Sequence, residues 1–185
     1  MLVVAEKASV ARSIRAAIRP TASVLALSGH FLRLDFQERC RSWRGVDPRD
    51  LFRASVSWVV EDEKTHLELV KALRHSGGLL VFALDNDHEG ELIAYEILQV
   101  AEDVIGKVSY KRMRFNSTAP YELRRAWASL ESELNWGWVW KALFRHRFDL
   151  VTGAAYTRLL TLSARKTRKD TKLVSWGSCQ TPTLW

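Results

Sequence analysis

The apolar run Leu79-Leu80-Val81-Phe82-Ala83-Leu84, followed by the polar run Asp85-Asn86-Asp87-His88-Glu89-Gly90-Glu91, is the most informative stretch of this chain for predicting its fold. A short apolar run of this kind is typical of a strand buried on both faces of a sheet, and a helical pattern over 88–101 follows it. The start of the chain repeats the arrangement, with an apolar run at 2–5 and a helical pattern over 9–18. Alternating strands and helices predict an α/β fold, a mostly parallel sheet flanked by helices.

The acidic turn after the strand at 79–84 carries four carboxylates within seven residues, Asp85, Asp87, Glu89 and Glu91. Like charges this close repel one another, so the cluster costs stability unless a cation occupies it. Carboxylate oxygens suit Mg²⁺, and extended backbone can direct Asp85 and Asp87 to one point. The alternative is an acidic helix N-terminus favoured by the helix dipole. That alternative explains the two glutamates but not the two aspartates.

The first strand ends in Glu6 and Lys7. In a parallel sheet the functional residues collect at the carboxyl ends of the strands, so this pair is expected at the same edge as the acidic turn. Glu6 could join the aspartates as a ligand or act as a general acid. Lys7 could stabilise charge on a transferring phosphoryl group. The alternative is a solvated ion pair at a helix start.

The excess of positive charge lies near the C-terminus. Residues 1–140 contain 19 basic and 19 acidic side chains, whereas residues 141–172 contain nine basic and two acidic ones, which accounts for the net charge of +7. Such a segment suits a polyanion, although a solvated helix face with a basic loop would look the same. Only two cysteines, Cys40 and Cys179, are present, which excludes a zinc finger and favours a reducing compartment. No apolar run is long enough to span a membrane.

The rest of the chain is assigned from periodicity and turn residues. Further strands are predicted at 22–27, 54–60 and 107–113, and further helices at 64–74, 121–130 and 138–163. Residues 37–53, rich in Arg, Asp, Gly and Pro, are predicted to be an exposed loop. The tryptophans at 127, 136, 138 and 140 are interpreted as packing residues rather than as base-stacking ones.

Glu6, followed much later by Asp85-x-Asp87-x-Glu89, resembles the signature of the Toprim fold, which topoisomerases, primases and some nucleases share. Further stretches resemble type IA DNA topoisomerases of the topoisomerase III kind. These stretches are Val3–Ala11, Gly29-His30, Tyr110–Phe115 with Thr118, Arg145-x3-Asp149-x3-Gly153-x3-Thr157-Arg158, and Ser175–Leu184. His88 and Ser178 stand where many type IA enzymes have arginine.

The resemblance implies a Toprim metal-binding domain over residues 1–135, followed over 136–185 by the start of a helical domain that binds single-stranded DNA. It implies that Glu6 is the general acid and a metal ligand, and that Lys7 stabilises the transition state. Asp85 and Asp87 would bind Mg²⁺, with Glu89 in support. The residues implied along the DNA strand are Arg145, Arg158, Ser178 and Gln180.

A type IA enzyme cleaves and rejoins one DNA strand through a 5′-phosphotyrosyl intermediate. None of Tyr95, Tyr110, Tyr121 and Tyr156 lies in a matching context, so the chain is expected to act with further domains of the same enzyme and to be inactive alone. Its partners would be single-stranded DNA and those domains, with no membrane, in the cytoplasm beside the nucleoid or in a nucleus. The alternatives are a stand-alone Toprim nuclease, a non-catalytic nucleic-acid-binding or partner-binding module, and a receiver domain.

Overall fold

A computed structural model describes residues 1–18 and 23–183. In chain order the elements are β1 (Leu2–Ala5), α1 (Ala8–Ile18), β2 (Ser23–Ala26), β3 (Leu32–Phe36), α2 (Glu38–Arg41), a 3₁₀ helix (Pro48–Arg53), β4 (Val56–Val60), α3 (Glu63–Arg74), β5 (Leu79–Ala83), α4 (His88–Ile105), β6 (Ser109–Arg112), α5 (Pro120–Ala128), α6 (Trp136–Thr167) and α7 (Gln180–Thr183). None of the helices in these two ranges is long and apolar enough to cross a membrane.

The main sheet has four parallel strands in the order β2-β1-β5-β6. The two central strands, β1 and β5, are adjacent and pair Ala5 with Ala83. Both are almost completely buried, as their unbroken apolar sequences predict. This arrangement confirms the predicted parallel sheet flanked by helices. It also places the turns after β1 and β5 side by side.

One face of the sheet packs against α1 and α5. Val10 and Ile14 of α1 and Leu123 of α5 belong to the same buried cluster as Val3 and Val81 of the central strands. Side chains alternate across a strand, so the neighbouring residues Leu2, Val4, Leu80 and Phe82, all buried, point to the opposite face. The core therefore fixes β1 against β5 from both sides.

The chain divides into two compact units. Unit 1 consists of Met1–Arg33 and Val60–Ala142, and contains the four-stranded sheet. Unit 2 consists of Leu34–Val59 and Leu143–Trp185. The domain boundary predicted at residue 135 stays a prediction. The two compact units divide the chain differently, because residues 34–59 belong to the same unit as the C-terminal part of the chain.

Residues 37–53 are mostly exposed, as predicted, but they are not an irregular loop. The segment contains α2 and the 3₁₀ helix, and the side chains of Cys40 and Leu51 are buried in the core of unit 2 with Phe36 and Ala155. The few apolar residues of this segment are separated by charged ones at no regular interval, so their burial left no periodic signal.

Strand β3 was not predicted either. It pairs with β4 in a separate two-stranded sheet. The signal was present, because Leu32-Arg33-Leu34-Asp35-Phe36 alternates apolar and polar side chains, as a strand with one buried face does. Among the other elements, the predicted strand at 22–27 corresponds to β2, and its first residue, Ala22, lies outside the described residues.

Candidate metal centre and nucleic-acid interface

Glu6 and Asp85 lie next to each other at the carboxyl edge of the sheet, one just beyond β1 and the other just beyond β5. The backbone amide of Asp85 donates a hydrogen bond of 3.1 Å to Oε2 of Glu6. The Glu6 side chain is mostly buried, with 16% of its surface exposed. The parallel pairing of the two strands therefore brings together residues that are 79 positions apart in the sequence.

Lys7 places a positive charge between these two carboxylates. Its Nζ lies 3.0 Å from Oδ2 of Asp85 and 3.7 Å from Oε1 of Glu6. The hydrogen bond to Asp85, with the charges of Asp85 and Glu6, raises the pKa of the Lys7 ammonium group above its ordinary value. The edge of the sheet is thus a place where a cation is held by carboxylate oxygens.

Asp87 serves first as the N-cap of α4. Its Oδ1 accepts a hydrogen bond of 2.8 Å from the backbone amide of Gly90, and its backbone is extended. This is the usual role of aspartate at a helix start. The cap orients Asp87 on the same turn as Asp85, and both residues line one open depression.

Glu89 lies against two imidazole rings. Its carboxylate is 3.3 Å from Nε2 of His30 and 3.5 Å from Nε2 of His88. Nδ1 of His30 is 2.6 Å from the buried Glu96. Burial alone would lower the pKa of His30, but the hydrogen bond and charge of Glu96, with a smaller contribution from Glu89, raise it overall. Glu89, itself a residue of the acidic turn, therefore faces two histidines, and its support of a metal ion stays a prediction.

Glu91 does not belong to an open cluster of four carboxylates, as the sequence suggested. Its side chain is completely buried and its Oε1 accepts hydrogen bonds of 2.7 Å from both Arg112 Nε and Arg114 Nη1. Its Oε2 accepts a hydrogen bond of 2.8 Å from the amide of Asn135. Two guanidinium groups thus neutralise this charge, and the repulsion in the turn is smaller than the count of carboxylates implies.

Arg112, also completely buried, holds the backbone of the acidic turn in place. Its Nη1 donates to the carbonyl oxygens of Phe82, Leu84 and Met113, and its Nη2 donates to that of Asp85 at 2.7 Å. In the sequence, Arg112 stands out only as part of the Tyr110–Phe115 motif. It lies at the end of β6, the strand next to β5, and this position could have indicated a contact with the acidic turn.

Helix α4 approaches the acidic turn so closely that only glycine fits at position 90. A Cβ atom on Gly90 would lie 2.1 Å from the carbonyl oxygen of Asp85, far inside van der Waals contact. The close approach aligns the start of α4 with the end of β5. It thereby sets the spacing between Asp85 and the cap residue Asp87.

Two open depressions flank the acidic turn and share Asn86. One, of about 460 Å³, is lined by Asp85, Asn86, Asp87, Phe115, Asn116, Ser117 and Thr118. The other, of about 670 Å³, is lined by Asn86, Arg114, Glu131, Ser132, Glu133, Leu134, Asn135 and Trp138. Both are wide enough for groups larger than a metal ion with its waters to reach the turn.

Three of the residues implied for DNA lie in one part of unit 2. Ser178 Oγ donates a hydrogen bond of 2.8 Å to Oδ1 of Asp149, whose Oδ2 is 3.8 Å from Nε of Arg145. Gln180, exposed, begins the short helix α7 two residues after Ser178. Asp149 thus ties the segment that carries Ser178 and Gln180 to α6.

Arg158 has a different place. Its side chain is buried, and its two terminal nitrogens donate hydrogen bonds to the carbonyl oxygens of Cys40, Arg41 and Ser42 at 2.9–3.1 Å. Burial lowers the pKa of its guanidinium group. These contacts make Arg158 a residue that positions the 40–42 backbone, and its contact with DNA stays a prediction.

Comparison with known proteins finds similarity along most of the chain. Residues 1–118 match the Toprim domain family. DNA topoisomerase 3-alpha of Drosophila melanogaster is 35% identical over 170 residues, DNA topoisomerase 1 of Archaeoglobus fulgidus 32% over 163, and DNA topoisomerase 3 of Caenorhabditis elegans 35% over 172. The matches cover 86–88% of this chain but only 13%, 24% and 22% of those proteins.

A solved structure resembles the chain as well. Full-length topoisomerase I from Thermotoga maritima superimposes with a TM-score of 0.60 at 26% sequence identity. The match covers 89% of this chain and 26% of that protein. The chain therefore spans about a quarter or less of the length of these relatives.

We expect replacement of Arg112 by methionine to cost about 3–5 kcal/mol of unfolding free energy, because it leaves a buried carboxylate and several carbonyls short of donors. In the Arg112→Met, Glu91→Leu double variant the loss should be smaller than the sum of the single losses by about 1–3 kcal/mol. Urea unfolding of the four proteins measures the coupling. Arg125→Met, which removes a largely exposed arginine paired with Glu122, is the control and should cost at most about 1 kcal/mol. Equal losses for Arg112→Met and Arg125→Met would contradict the prediction.

Gly90→Ala is expected to destabilise the chain by about 1–3 kcal/mol, because the new Cβ forces the start of α4 away from Asp85. Gly153→Ala in α6 is the matched control, since a Cβ there meets nothing within 4 Å. It should stabilise the protein slightly, by up to about 1 kcal/mol, as alanine does in a helix interior. Thermal melting followed by circular dichroism tests both. A Gly90→Ala variant as stable as the parent would mean that the close approach imposes no constraint.

Proposed function

Because the chain belongs to the Toprim family, we propose that it supplies the acidic, metal-binding part of a type IA DNA topoisomerase, an enzyme that cleaves and rejoins one DNA strand through a 5′-phosphotyrosyl intermediate. One observation carries the proposal: Glu6, Lys7 and Asp85 meet at the carboxyl edge of a parallel sheet. The homology with topoisomerase 3 proteins, which extends well beyond residues 1–118, agrees with it.

The residues at this edge suit Mg²⁺. Glu6, Asp85 and Asp87 offer carboxylate oxygens, the hard ligands that Mg²⁺ prefers, and the open depression leaves room for the waters and phosphate oxygens that usually complete its coordination. The ammonium group of Lys7 already lies against two of these carboxylates, which is evidence that the site favours positive charge. When bound, the metal would supply a positive charge that stabilises the reacting phosphate.

Lys7 and Glu6 are the groups proposed to act on the reacting phosphate. Lys7, half exposed, can turn its ammonium group from Asp85 to a phosphate oxygen, where it would stabilise the charge that develops in the transition state. Glu6 would act as the general acid that delivers a proton to the oxygen that leaves phosphorus. Arg112 positions both by holding the Asp85 carbonyl.

Unit 2 is the part of the chain proposed to bind the single-stranded DNA. It contains 13 basic and six acidic side chains, whereas unit 1 contains 15 of each. Arg145 offers a cation, Ser178 offers a hydroxyl group that is joined to it through Asp149, and Gln180 offers an amide two residues further on. Phosphate contacts of this kind position a strand without reading its sequence.

A stand-alone nuclease would use the same acidic site with water as the nucleophile. The similarity to topoisomerases over 86–88% of the chain, including much of unit 2, favours the topoisomerase assignment over the nuclease. In either case the metal site would be the same, so the two functions are distinguished by their products.

We predict that the chain binds Mg²⁺ weakly in the absence of DNA and that Asp85→Asn, Asp87→Asn abolishes the binding, because both ligands lose their charge. Titration calorimetry measures it. The fold should survive, since asparagine caps a helix about as well as aspartate does. The control is Glu102→Gln, Asp103→Asn, which removes two carboxylates at the opposite end of α4 from the acidic turn and should leave Mg²⁺ binding unchanged. Unaltered binding in the Asp85, Asp87 variant would refute the site.

We also predict that the chain alone forms no covalent link with DNA and does not relax supercoiled DNA. The physical reason is that no tyrosine of the described residues lines either depression beside the acidic turn. Incubation with end-labelled single-stranded DNA and Mg²⁺, followed by a denaturing gel, is the measurement. A protein-linked labelled band would contradict the prediction, and Mg²⁺-dependent nicking without such a band would favour the nuclease.

A further inference from the structure

Unit 2 contains a second charged feature, which the proposed function leaves unused. It is an open cleft of about 670 Å³ between the start of the 3₁₀ helix and the last turns of α6. We call it the basic cleft. The residues that line it are Asp47, Pro48, Arg49, Leu159, Leu162, Ser163, Arg165 and Lys166.

The charge of the basic cleft is positive. Arg49, Arg165 and Lys166 contribute three cations and Asp47 one anion. Asp47 lies 2.6 Å from Arg49, whose hydrogen bonds lower the pKa of Asp47 to about 2, so this carboxylate stays ionised at neutral pH. A net charge of about +2 remains at neutral pH, in the unit that carries all of the chain's excess charge.

The basic cleft also has an apolar wall. Leu159, with 42% of its surface exposed, lies beside Leu162 on α6, and Pro48 faces them from the 3₁₀ helix. Leucines that are at least partly exposed next to cations are suited to a ligand that is both apolar and negatively charged. Single-stranded nucleic acid has this character, because each unpaired base presents a flat apolar face next to a phosphate.

The two sides of the basic cleft are held together by contacts within unit 2. Arg158 binds the carbonyl oxygens of residues 40–42, and Leu51 is buried against Ala155 of α6. The ring of Trp43 lies 5.7 Å from the guanidinium carbon of Arg158 and 6.0 Å from that of Arg165. Arg165 Nε also donates a hydrogen bond to the carbonyl oxygen of Thr171. The cation at Arg165 is thus positioned before a ligand arrives, which reduces the entropy lost on binding.

We propose that the basic cleft is a second contact for single-stranded nucleic acid, separate from the one at Arg145. Arg165 and Lys166 bind phosphates, and a base or sugar packs on Leu159 and Leu162. The proposal rests on the proposed function in one respect, that the chain acts on single-stranded DNA. Ser163 follows Arg145 by 18 residues on one helix, so the two contacts lie about 27 Å apart along α6. A strand that reaches both would be held at two points of unit 2.

The experiment measures binding of fluorescent oligothymidylate to the whole chain over a range of salt concentrations. The slope of log K against log salt is negative, and Arg165→Gln, Lys166→Gln should reduce its magnitude by about 1.4, the value for two phosphate contacts to a single strand. Leu159→Ser should weaken binding by about threefold to tenfold without changing the slope, because it removes an apolar contact and no charge. Lys64→Gln, Lys71→Gln on α3 of unit 1 removes two exposed lysines and should change neither quantity.

A second variant distinguishes the loss of a phosphate contact from misfolding. The side chain of Lys166 makes no hydrogen bond or ion pair within residues 1–18 and 23–183, so Lys166→Gln alone should fold normally and still reduce the magnitude of the slope by about 0.7. Circular dichroism verifies the helix content of every variant. An unchanged slope in both the double and the single variant would overturn the proposal.

The failure of this inference can be told apart from the failure of the proposed function. If Arg145→Gln reduces the slope and the variants of the basic cleft do not, the proposed DNA contact stands and the basic cleft is not part of it. If the cleft variants reduce the slope and Arg145→Gln does not, the proposed contact at Arg145 fails and the basic cleft stands. Polyglutamate and anionic phospholipid vesicles are tested as competitors at the same total negative charge as the oligonucleotide. If either displaces the oligonucleotide, and binds the Leu159→Ser variant as tightly as the parent, the ligand is an acidic protein or a membrane surface. That result would overturn the proposal.

Discussion

The buried carboxylate of Glu91 binds two arginines and a backbone amide, and the geometry of the acidic turn depends on that arrangement. Glu91 balances the charge that Arg112 carries inside the core, and the other nitrogens of Arg112 hold the carbonyl oxygens of Leu84 and Asp85. A buried ion pair of this kind gains little net stability from charge alone. Its effect is to fix the end of β5 in one conformation, and with it the position of the Asp85 side chain.

This constraint explains how repelling groups can share one edge of the sheet. The carboxylate at position 91 is neutralised in the core, that at position 87 caps α4, and those at positions 6 and 85 share the ammonium group of Lys7. Each carboxylate thus has a structural partner before any metal arrives. A metal that binds there competes mainly with an exposed lysine, which is consistent with weak binding until phosphate oxygens complete the coordination.

The distribution of charge separates the two proposed tasks of the chain. Unit 1 is neutral and carries the acidic turn, while unit 2 holds the whole net charge of +7. Part of this excess lies in the two places proposed to bind nucleic acid, around Arg145 and in the basic cleft. Residues 37–53, which the sequence suggested were an exposed loop, supply one wall of the basic cleft and part of the core of unit 2. A segment far away in sequence therefore completes the nucleic-acid-binding surface proposed for α6.

The parallel sheet could be predicted from the amino-acid sequence, because the apolar runs at 2–5 and 79–84 are satisfied only by burial on both faces. The shared edge of Glu6 and Asp85 followed from the same pattern, since both residues come directly after such strands. Which charges are buried became known only from the three-dimensional fold. Glu91 looked like the other acidic residues of the turn, and Arg158 like the other basic residues of α6, because burial depends on partners such as Arg112 and the 40–42 carbonyls. These partners come from segments distant in sequence, and no local pattern records their approach.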